Sequence, residues 1–309
     1  MKIIFFGTAN VALPILEELK KQHEIAVVVT TPDVKVGRKQ EMQESPVSAL
    51  AKDLKLQTFK PEKVKDNPEF LQQLKNIGAD IFVVVAYGKI LPLDIISLPQ
   101  HKTVNVHFSV LPKYRGASPI QSALLNGDSQ TGTSIFLLDE NIDDGPLLAQ
   151  EIASIEADDN YFTLSDKLAK LSAKIINPTL DAYVSGQITP LPQDEAAASH
   201  SKIIAKADGK IDWNKSAQEI YNQFRAFYLW PGIWTTWKGQ NLKIVECFPA
   251  AAYNSASIQA PGTILEQGFL ACGDGTALQI NRLQMAGKSE VSTTEFLNGY
   301  RDFVGSKLE

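Results

Sequence analysis

The stretch Ile3-Ile4-Phe5-Phe6-Gly7-Thr8-Ala9-Asn10, followed by Leu13, Leu16 and Leu19 and then by the apolar run Ile25 to Thr30, decides the fold class. Four consecutive apolar residues ending on a glycine read as a strand buried on both faces, and leucines three apart read as the stripe of an amphipathic helix. Strand, helix and strand in that order form a βαβ unit, whose two strands lie parallel in one sheet. The pattern recurs downstream, with strands expected at Ile81 to Val85, Val104 to Phe108 and Ser134 to Leu138, and with Phe70, Leu71 and Leu74 marking another crossover helix. The expected architecture is α/β, a doubly wound, mostly parallel sheet covered on both faces.

A longer helix is expected over Leu164 to Tyr183, where Leu168, Leu171, Ile175 and Ile176 mark one face and Pro178 should end or kink it. From Ser185 to Lys206 the composition shifts to Gly, Pro, Gln, Asp, Ala and Ser, which reads as a linker. The expected division is a first domain over 1–190, a linker over 191–206 and a second domain over 207–309. In that last part short β-type runs at Trp234 to Trp237, Leu242 to Cys247, Gly262 to Leu265, Phe269 to Cys272 and Ala277 to Ile280 alternate with turn residues, the pattern of a small C-terminal β-barrel of OB-like type.

The 309 residues are 44% hydrophobic and 21% charged, enough to bury two cores. No apolar run approaches the roughly 18 to 20 residues that span a bilayer. Because Met1-Lys2 leads straight into Ile3, with no signal-peptide pattern, a cytoplasmic location without membrane attachment is expected. Only Cys247 and Cys272 are present, without C-x-x-C or Cys/His clustering, so neither a disulfide framework nor a metal site is expected. The formal net charge of -5 gives no basic domain, and any contact with nucleic acid must use local clusters.

A dinucleotide-binding reading of the N-terminal turn fails, because Gly7-Thr8-Ala9-Asn10 lacks the second and third glycines that let a pyrophosphate approach. Asp33 lies where a ribose-binding acid would, but Thr31-Pro32-Asp33 is also a plain turn sequence. The sharper signal is Val104-Asn105-Val106-His107-Phe108, since alternation puts Asn105 and His107 on one face of a strand expected to be buried. Two polar groups there need partners or a wet crevice, and such crevices open at the carboxyl ends of strands. The next strand runs into Asp139-Glu140-Asn141-Ile142-Asp143-Asp144-Gly145-Pro146, so the acidic loop is expected to leave from the same edge and meet His107. Asparagine, histidine and aspartate suit acyl transfer to an amine, with donors for an oxyanion and a carboxylate to orient the imidazole. A satisfied core histidine beside an acidic surface loop accounts for these residues equally well.

The segment that follows, Phe108-Ser109-Val110-Leu111-Pro112-Lys113-Tyr114-Arg115-Gly116-Ala117-Ser118-Pro119-Ile120-Gln121, resembles the SLLP-x-[WY]-R-G-A-x-P-I-Q motif of methionyl-tRNA formyltransferases. The resemblance extends through Phe5 to Thr8, Val83 to Pro92 and Ile142 to Pro146. Past the linker it takes in Lys210 to Trp213, Arg225 to Phe227, Trp230 to Gly232, Pro261 to Leu265, Leu283 to Lys288 and Glu295 to Leu297. It implies a Rossmann-like formyltransferase domain, 10-formyltetrahydrofolate as formyl donor, methionyl initiator tRNA as acceptor and no metal, in a chain expected to act as a monomer. By resemblance the catalytic residues are Asn105, His107 and Asp143. The folate contacts are Ser109, Val110, Leu111 and Pro112, with Lys89, Ile90 and Leu91 more loosely, and the tRNA contacts are Arg38 and Lys39.

Gln40 and Glu41 stand where the family pattern has lysines, and Tyr228-Leu229 replaces the common Asn-Pro before Trp230. The set Trp213, Trp230, Trp234 and Trp237 admits a base-stacking reading, but tryptophans in a small barrel are more often its core. Formyltransferases that act on nucleotide-linked amino sugars look similar around the three catalytic positions, so those positions alone do not choose the acceptor. A catalytically silent folate- or RNA-binding module is the remaining alternative.

Overall fold

The computed structural model describes residues 1–36, 40–250 and 259–309, which form two compact units. The first comprises 1–119, 130–154 and 164–202, and the second 120–129, 155–163 and 203–309.

Strands β1 (Lys2–Gly7) and β2 (Glu24–Val29) flank helix α1 (Leu13–Gln22), and β3 (Val34–Val36) pairs with β4 (Glu41–Gln43) as a separate antiparallel ribbon. Helix α2 (Pro46–Asp53) leads to β5 (Thr58–Phe59), α3 (Pro68–Ile77) to β6 (Ile81–Val85), and α4 (Leu93–Ile96) to β7 (Thr103–His107). Local chemistry sets these boundaries. The Asn67 side chain accepts from the Phe70 amide at the start of α3, Pro68 takes its first position, and Gly78 at φ 62° ends it. After the short β8 (Arg115–Gly116) and α5 (Pro119–Leu125) come β9 (Gln130–Leu137), β10 (Leu147–Ser154), α6 (Tyr161–Val184) and β11 (His200–Ser201).

The main sheet has the order β10-β9-β7-β6-β1-β2-β5. The strands from β7 through β5 are mutually parallel, whereas β9 runs antiparallel to β7 and β10 antiparallel to β9. One face buries Ile4, Phe6, Val27, Val29, Phe82 and Val84 against Phe70 and Leu74 of α3 and Ile95 and Ile96 of α4. Period-two geometry turns Ile3 and Phe5 to the other face, and α1 brings fully buried Ile15, Leu16 and Leu19. The Asn177 amide of α6 donates to the Glu18 carbonyl of α1 at 3.0 Å. Helix α6 continues through Pro178 instead of ending there.

The segment expected to be a linker is largely part of the first unit. Leu191 pairs with Leu147 in an antiparallel bridge, and His200 and Ser201 pair in parallel with Arg115 and Gly116. Its polar composition reflects side chains used for hydrogen bonds, which composition alone does not distinguish from solvated chain.

The second unit carries α7 (Ala217–Ala226), begun by the reciprocal bonds of Ser216 and Glu219, and α8 (Thr293–Gly299), begun likewise by Ser292 and Glu295. Between them β12 (Ile233–Trp237), β13 (Gln240–Pro249), β14 (Phe269–Ala271), β15 (Ala277–Met285) and β16 (Val291–Ser292) form an antiparallel sheet of order β12-β13-β15-β14, with β16 against β15. The expected small barrel is thus realised as a curled half-barrel. Trp213 and Trp237 are buried in its core, where Trp237 meets Phe296, Tyr300 and Phe303 at ring-centroid distances of 5.9, 5.4 and 5.0 Å. Trp234 is half-buried and Trp230 exposed, so only two of the four tryptophans fit the core reading. Cys247 and Cys272 are both buried free thiols, and burial pushes Cys272 up to about 12.

Candidate active site

Asn105 and His107 project from one face of β7, and the Asp143 carboxylate stands against both. One Asp143 oxygen, Oδ1, lies 3.5 Å from the donating Asn105 Nδ2, and the other, Oδ2, lies 3.4 Å from His107 Nδ1. The same Oδ2 accepts the Gly116 backbone N–H at 2.8 Å. The route by which Asp143 arrives differs from the expected one. Because β9 is antiparallel to β7, with His107 opposite Ser134 and Val104 opposite Leu137, the loop after β9 starts at the amino end of β7. It then folds back over the sheet face to reach His107.

Tight backbone geometry makes that return fit. A Cβ on Gly145 would come 1.8 Å from the Leu137 carbonyl oxygen, so the position requires glycine. Asp143 has φ 53°, a left-handed conformation that costs an L-residue about 1 to 2 kcal/mol and least for Asp and Asn. On the other side of the histidine, Tyr114 at φ 61° aims its carbonyl at His107 Nε2, 3.0 Å away. A Cβ on Gly116, at φ 107°, would meet the Ser201 carbonyl oxygen at 2.9 Å. The β8–β11 pairing therefore depends on that glycine.

Burial holds the His107 imidazole below its ordinary value of 6.5, against the opposing pull of Asp143 and of the Tyr114 carbonyl. Both ring nitrogens face acceptors, so a neutral ring satisfies one of them and a charged ring both. Asn105 Nδ2 has a second N–H beyond the long contact to Asp143, and this is the donor best placed to be free for a substrate oxygen.

Around this trio lies a polar network that the sequence reading did not anticipate. Arg115, only 3% exposed, donates to both carboxylate oxygens of Glu195 at 3.0 and 2.6 Å and lies 3.2 Å from Asp144. Its Nε and Nη2 also donate to Gln193 Oε1 at 3.1 and 3.0 Å, while Gln193 Nε2 donates to the carbonyls of Asp143 and Gly145. Burial pushes the Asp144 carboxyl up despite Arg115, and the hydrogen bonds from Arg115 pull Glu195 down. A signal was present in the motif itself, since an arginine that ends up buried needs acidic partners.

The loops expected to hold folate leave the carboxyl ends of β6 and β7, neighbours with Val85 opposite Val106. Their polar groups are less available than expected. Ser109 is fully buried, its hydroxyl donating to the Lys113 carbonyl and its own carbonyl accepting from Ser134. The Leu111 amide donates to Ser134 Oγ, and its carbonyl accepts from Gln150. The Lys89 ammonium is held by the carbonyls of Pro61 and Glu62 at 2.7 and 2.8 Å. Leu111 and Leu91 are buried, leaving half-buried Val110 and Pro112 and exposed Ile90 as the surfaces on offer. Arg38 and Lys39 lie outside the described residues. Among the described residues no group of three or more His, Cys, Asp or Glu side chains is arranged to hold a metal ion, and no helix is long and apolar enough to cross a membrane.

Residues 1–180 match the family described as formyl transferase, and residues 203–301 match the formyl transferase C-terminal domain. Fold and family match together are those of a formyltransferase. A methionyl-tRNA formyltransferase from Caldicellulosiruptor saccharolyticus is 42% identical over 313 aligned residues covering 100% of both chains. Another, from Caldanaerobacter subterraneus subsp. tengcongensis, is 39% identical with the same coverage. The sugar 3N-formyltransferase WlaRD, solved in the presence of dTDP and 5-N-formyl-THF, shares the fold with a TM-score of 0.67 at 21% identity, over 94% of this chain and 99% of that one. This chain belongs to the methionyl-tRNA formyltransferase family.

Proposed function

We propose that this chain carries the formyl group of 10-formyltetrahydrofolate to the α-amine of methionine esterified to initiator tRNA, giving formylmethionyl-tRNA for translation initiation. The observation that carries the reading is the convergence of Asn105, His107 and Asp143 in a chain whose full-length relatives are methionyl-tRNA formyltransferases.

In this reading the neutral amine attacks the formyl carbon and the former carbonyl oxygen becomes an oxyanion. The free N–H of Asn105 Nδ2 donates to it, and His107 adds a second donor by exchanging the Tyr114 carbonyl for the charged oxygen. A donor aimed at such an oxyanion contributes about 3 kcal/mol to the transition state. The bond from the formyl carbon to N10 then breaks, the amine nitrogen gives up a proton and N10 takes one. Asp143, His107 and a water carry it between them. These steps use proton transfer and charge stabilisation, neither of which calls for a metal.

Val110, Pro112 and Ile90 offer apolar contact to a flat pterin, with Ser109, Leu111, Lys89 and Leu91 shaping the loops beneath. Arg38 and Lys39 serve the acceptor end of the tRNA, and residues 207–309 assist its binding. The chain works as a cytoplasmic monomer, which sedimentation equilibrium would check.

The test is incubation with 10-formyltetrahydrofolate and methionine-charged initiator tRNA, against a control with an amino-sugar nucleotide as acceptor. Product on tRNA alone is expected. Product on the sugar alone would replace the acceptor, and product on neither would leave a silent binding module. Arg38→Ala should raise the Michaelis constant for tRNA and leave that for folate unchanged.

A further inference from the structure

We propose that Gln193 is a positioning residue for formyl transfer, its side-chain amide fixing the loop that presents Asp143 to His107 and Asn105. The inference rests on the reading of Asp143 given above.

Asp143 belongs to no helix or strand. It sits in a loop that starts at the amino end of β7, doubles back, and holds Asp143 at φ 53°. Something must hold such a loop in register with β7, and the structure supplies it from a distant part of the chain. Gln193 Nε2 donates to the carbonyl oxygens of Asp143 and Gly145 at 2.9 and 2.8 Å, gripping the backbone on both sides of Asp144.

The orientation of this amide is set by its partners. Gln193 Oε1 faces Nε and Nη2 of Arg115, which can only donate, while Nε2 faces two carbonyls, which can only accept. Flipping the amide would oppose donors to donors and oxygens to oxygens. Arg115 is itself immobilised by two bonds to Glu195 and by Asp144. The residue after it, Gly116, gives its amide to Asp143 Oδ2 at 2.8 Å. One buried guanidinium thus organises both the clamp on the Asp143 backbone, through Gln193, and the adjacent donor that holds its carboxylate.

Gln193→Glu separates these roles, because it keeps the length of the side chain and an oxygen for Arg115 but sets a second oxygen against two carbonyls. The turnover number at saturating substrates is expected to fall about ten- to a hundredfold, the effect of moving a reacting group by a fraction of an ångström to an ångström. The Michaelis constants should change by less than about threefold, since the lost interaction serves the reaction and not binding. The distinguishing measurement repeats the substitution in an Asp143→Ala background under single-turnover conditions. With Asp143 gone there is no carboxylate left to misplace, and the further loss should be under about twofold.

An equal loss in both backgrounds would show general structural support and overturn the proposal, as would full turnover in Gln193→Glu alone. Full activity in Asp143→Ala would instead remove the catalytic reading and the positioning role with it. Gln193→Met, uncharged and of similar length, takes the place of the glutamate variant if that protein does not fold, with the same outcomes.

Discussion

Ser134 is fully buried in β9, and its hydroxyl stitches the loop after His107 to the sheet. It donates to the Ser109 carbonyl at 2.6 Å and accepts from the Leu111 amide at 3.0 Å and from Gln150 Nε2 at 2.9 Å. In Ser134→Ala, Gln150 keeps its bond to the Leu111 carbonyl, but the buried Leu111 N–H and Ser109 C=O lose this partner. Each orphaned buried group costs about 1 to 3 kcal/mol. The space vacated by one oxygen is smaller than the roughly 30 Å³ a water occupies in the liquid, so solvent does not restore the bonds. The expected loss is about 3 kcal/mol, which for a unit of this size lowers Tm by about 6 to 12 °C. Urea unfolding and a thermal scan measure it, and the Michaelis constant for the formyl donor should rise as the Ser109 to Pro112 loop loosens. A loss below about 0.5 kcal/mol would refute the reasoning, since it would mean that the loop is not held by this hydroxyl.

Further outcomes are expected elsewhere in the molecule. His107→Ala and Asp143→Ala should each reduce turnover at least about a hundredfold while circular dichroism stays native, and normal turnover in either would remove it from the catalytic set. Gly145→Ala places a Cβ where the Leu137 carbonyl stands, so steady-state kinetics should show turnover down at least about tenfold as Asp143 is displaced. Trp237→Ala should cost about 3 to 5 kcal/mol in urea unfolding, against under about 0.5 kcal/mol for the exposed Trp230→Ala. Equal losses would contradict the assigned core. Because burial lowers the His107 pKa, the unfolded chain binds its proton near pH 6.5 and the folded chain only at lower pH. The stability this group contributes is complete above that value and is lost as pH falls through it toward the folded pKa. Subtracting the stability of His107→Gln from that of the wild type across pH 5 to 8 should reveal that slope, and parallel curves would show that His107 titrates alike in both states.

The parallel core was legible because its strands are apolar on both faces: Ile3 to Phe6, Ile25 to Thr30 and Ile81 to Val85 each locate a strand to within a residue or two at either end. Alternation along Val104 to His107 likewise placed Asn105 and His107 on one face, since side-chain direction in a strand is a local property. The crossover helices were readable from the spacing of their apolar residues, Leu13, Leu16 and Leu19 in α1 and Phe70, Leu71 and Leu74 in α3.

Strand direction is not local. Nothing in Ser134 to Leu138 says that β9 runs against β7, and that direction decides from which edge the acidic loop departs. Asp143 does stand against Asn105 and His107, yet the path to them is a return over the sheet that only the folded chain reveals. The same limit applies to 191–206, whose small and polar residues mark absence of a large apolar core contribution but not absence of structure. Whether Gln193 is solvated or clamped depends on Arg115, 78 residues earlier. The sequence by itself determined the layered α/β core, the small β-rich domain that follows and the residue types available for chemistry, because these depend on periodicity and composition. The tertiary structure decided which carboxylate meets His107, which loop groups are already bonded and which distant side chains hold the loop in place, because each is a contact between segments whose spacing carries no record of it.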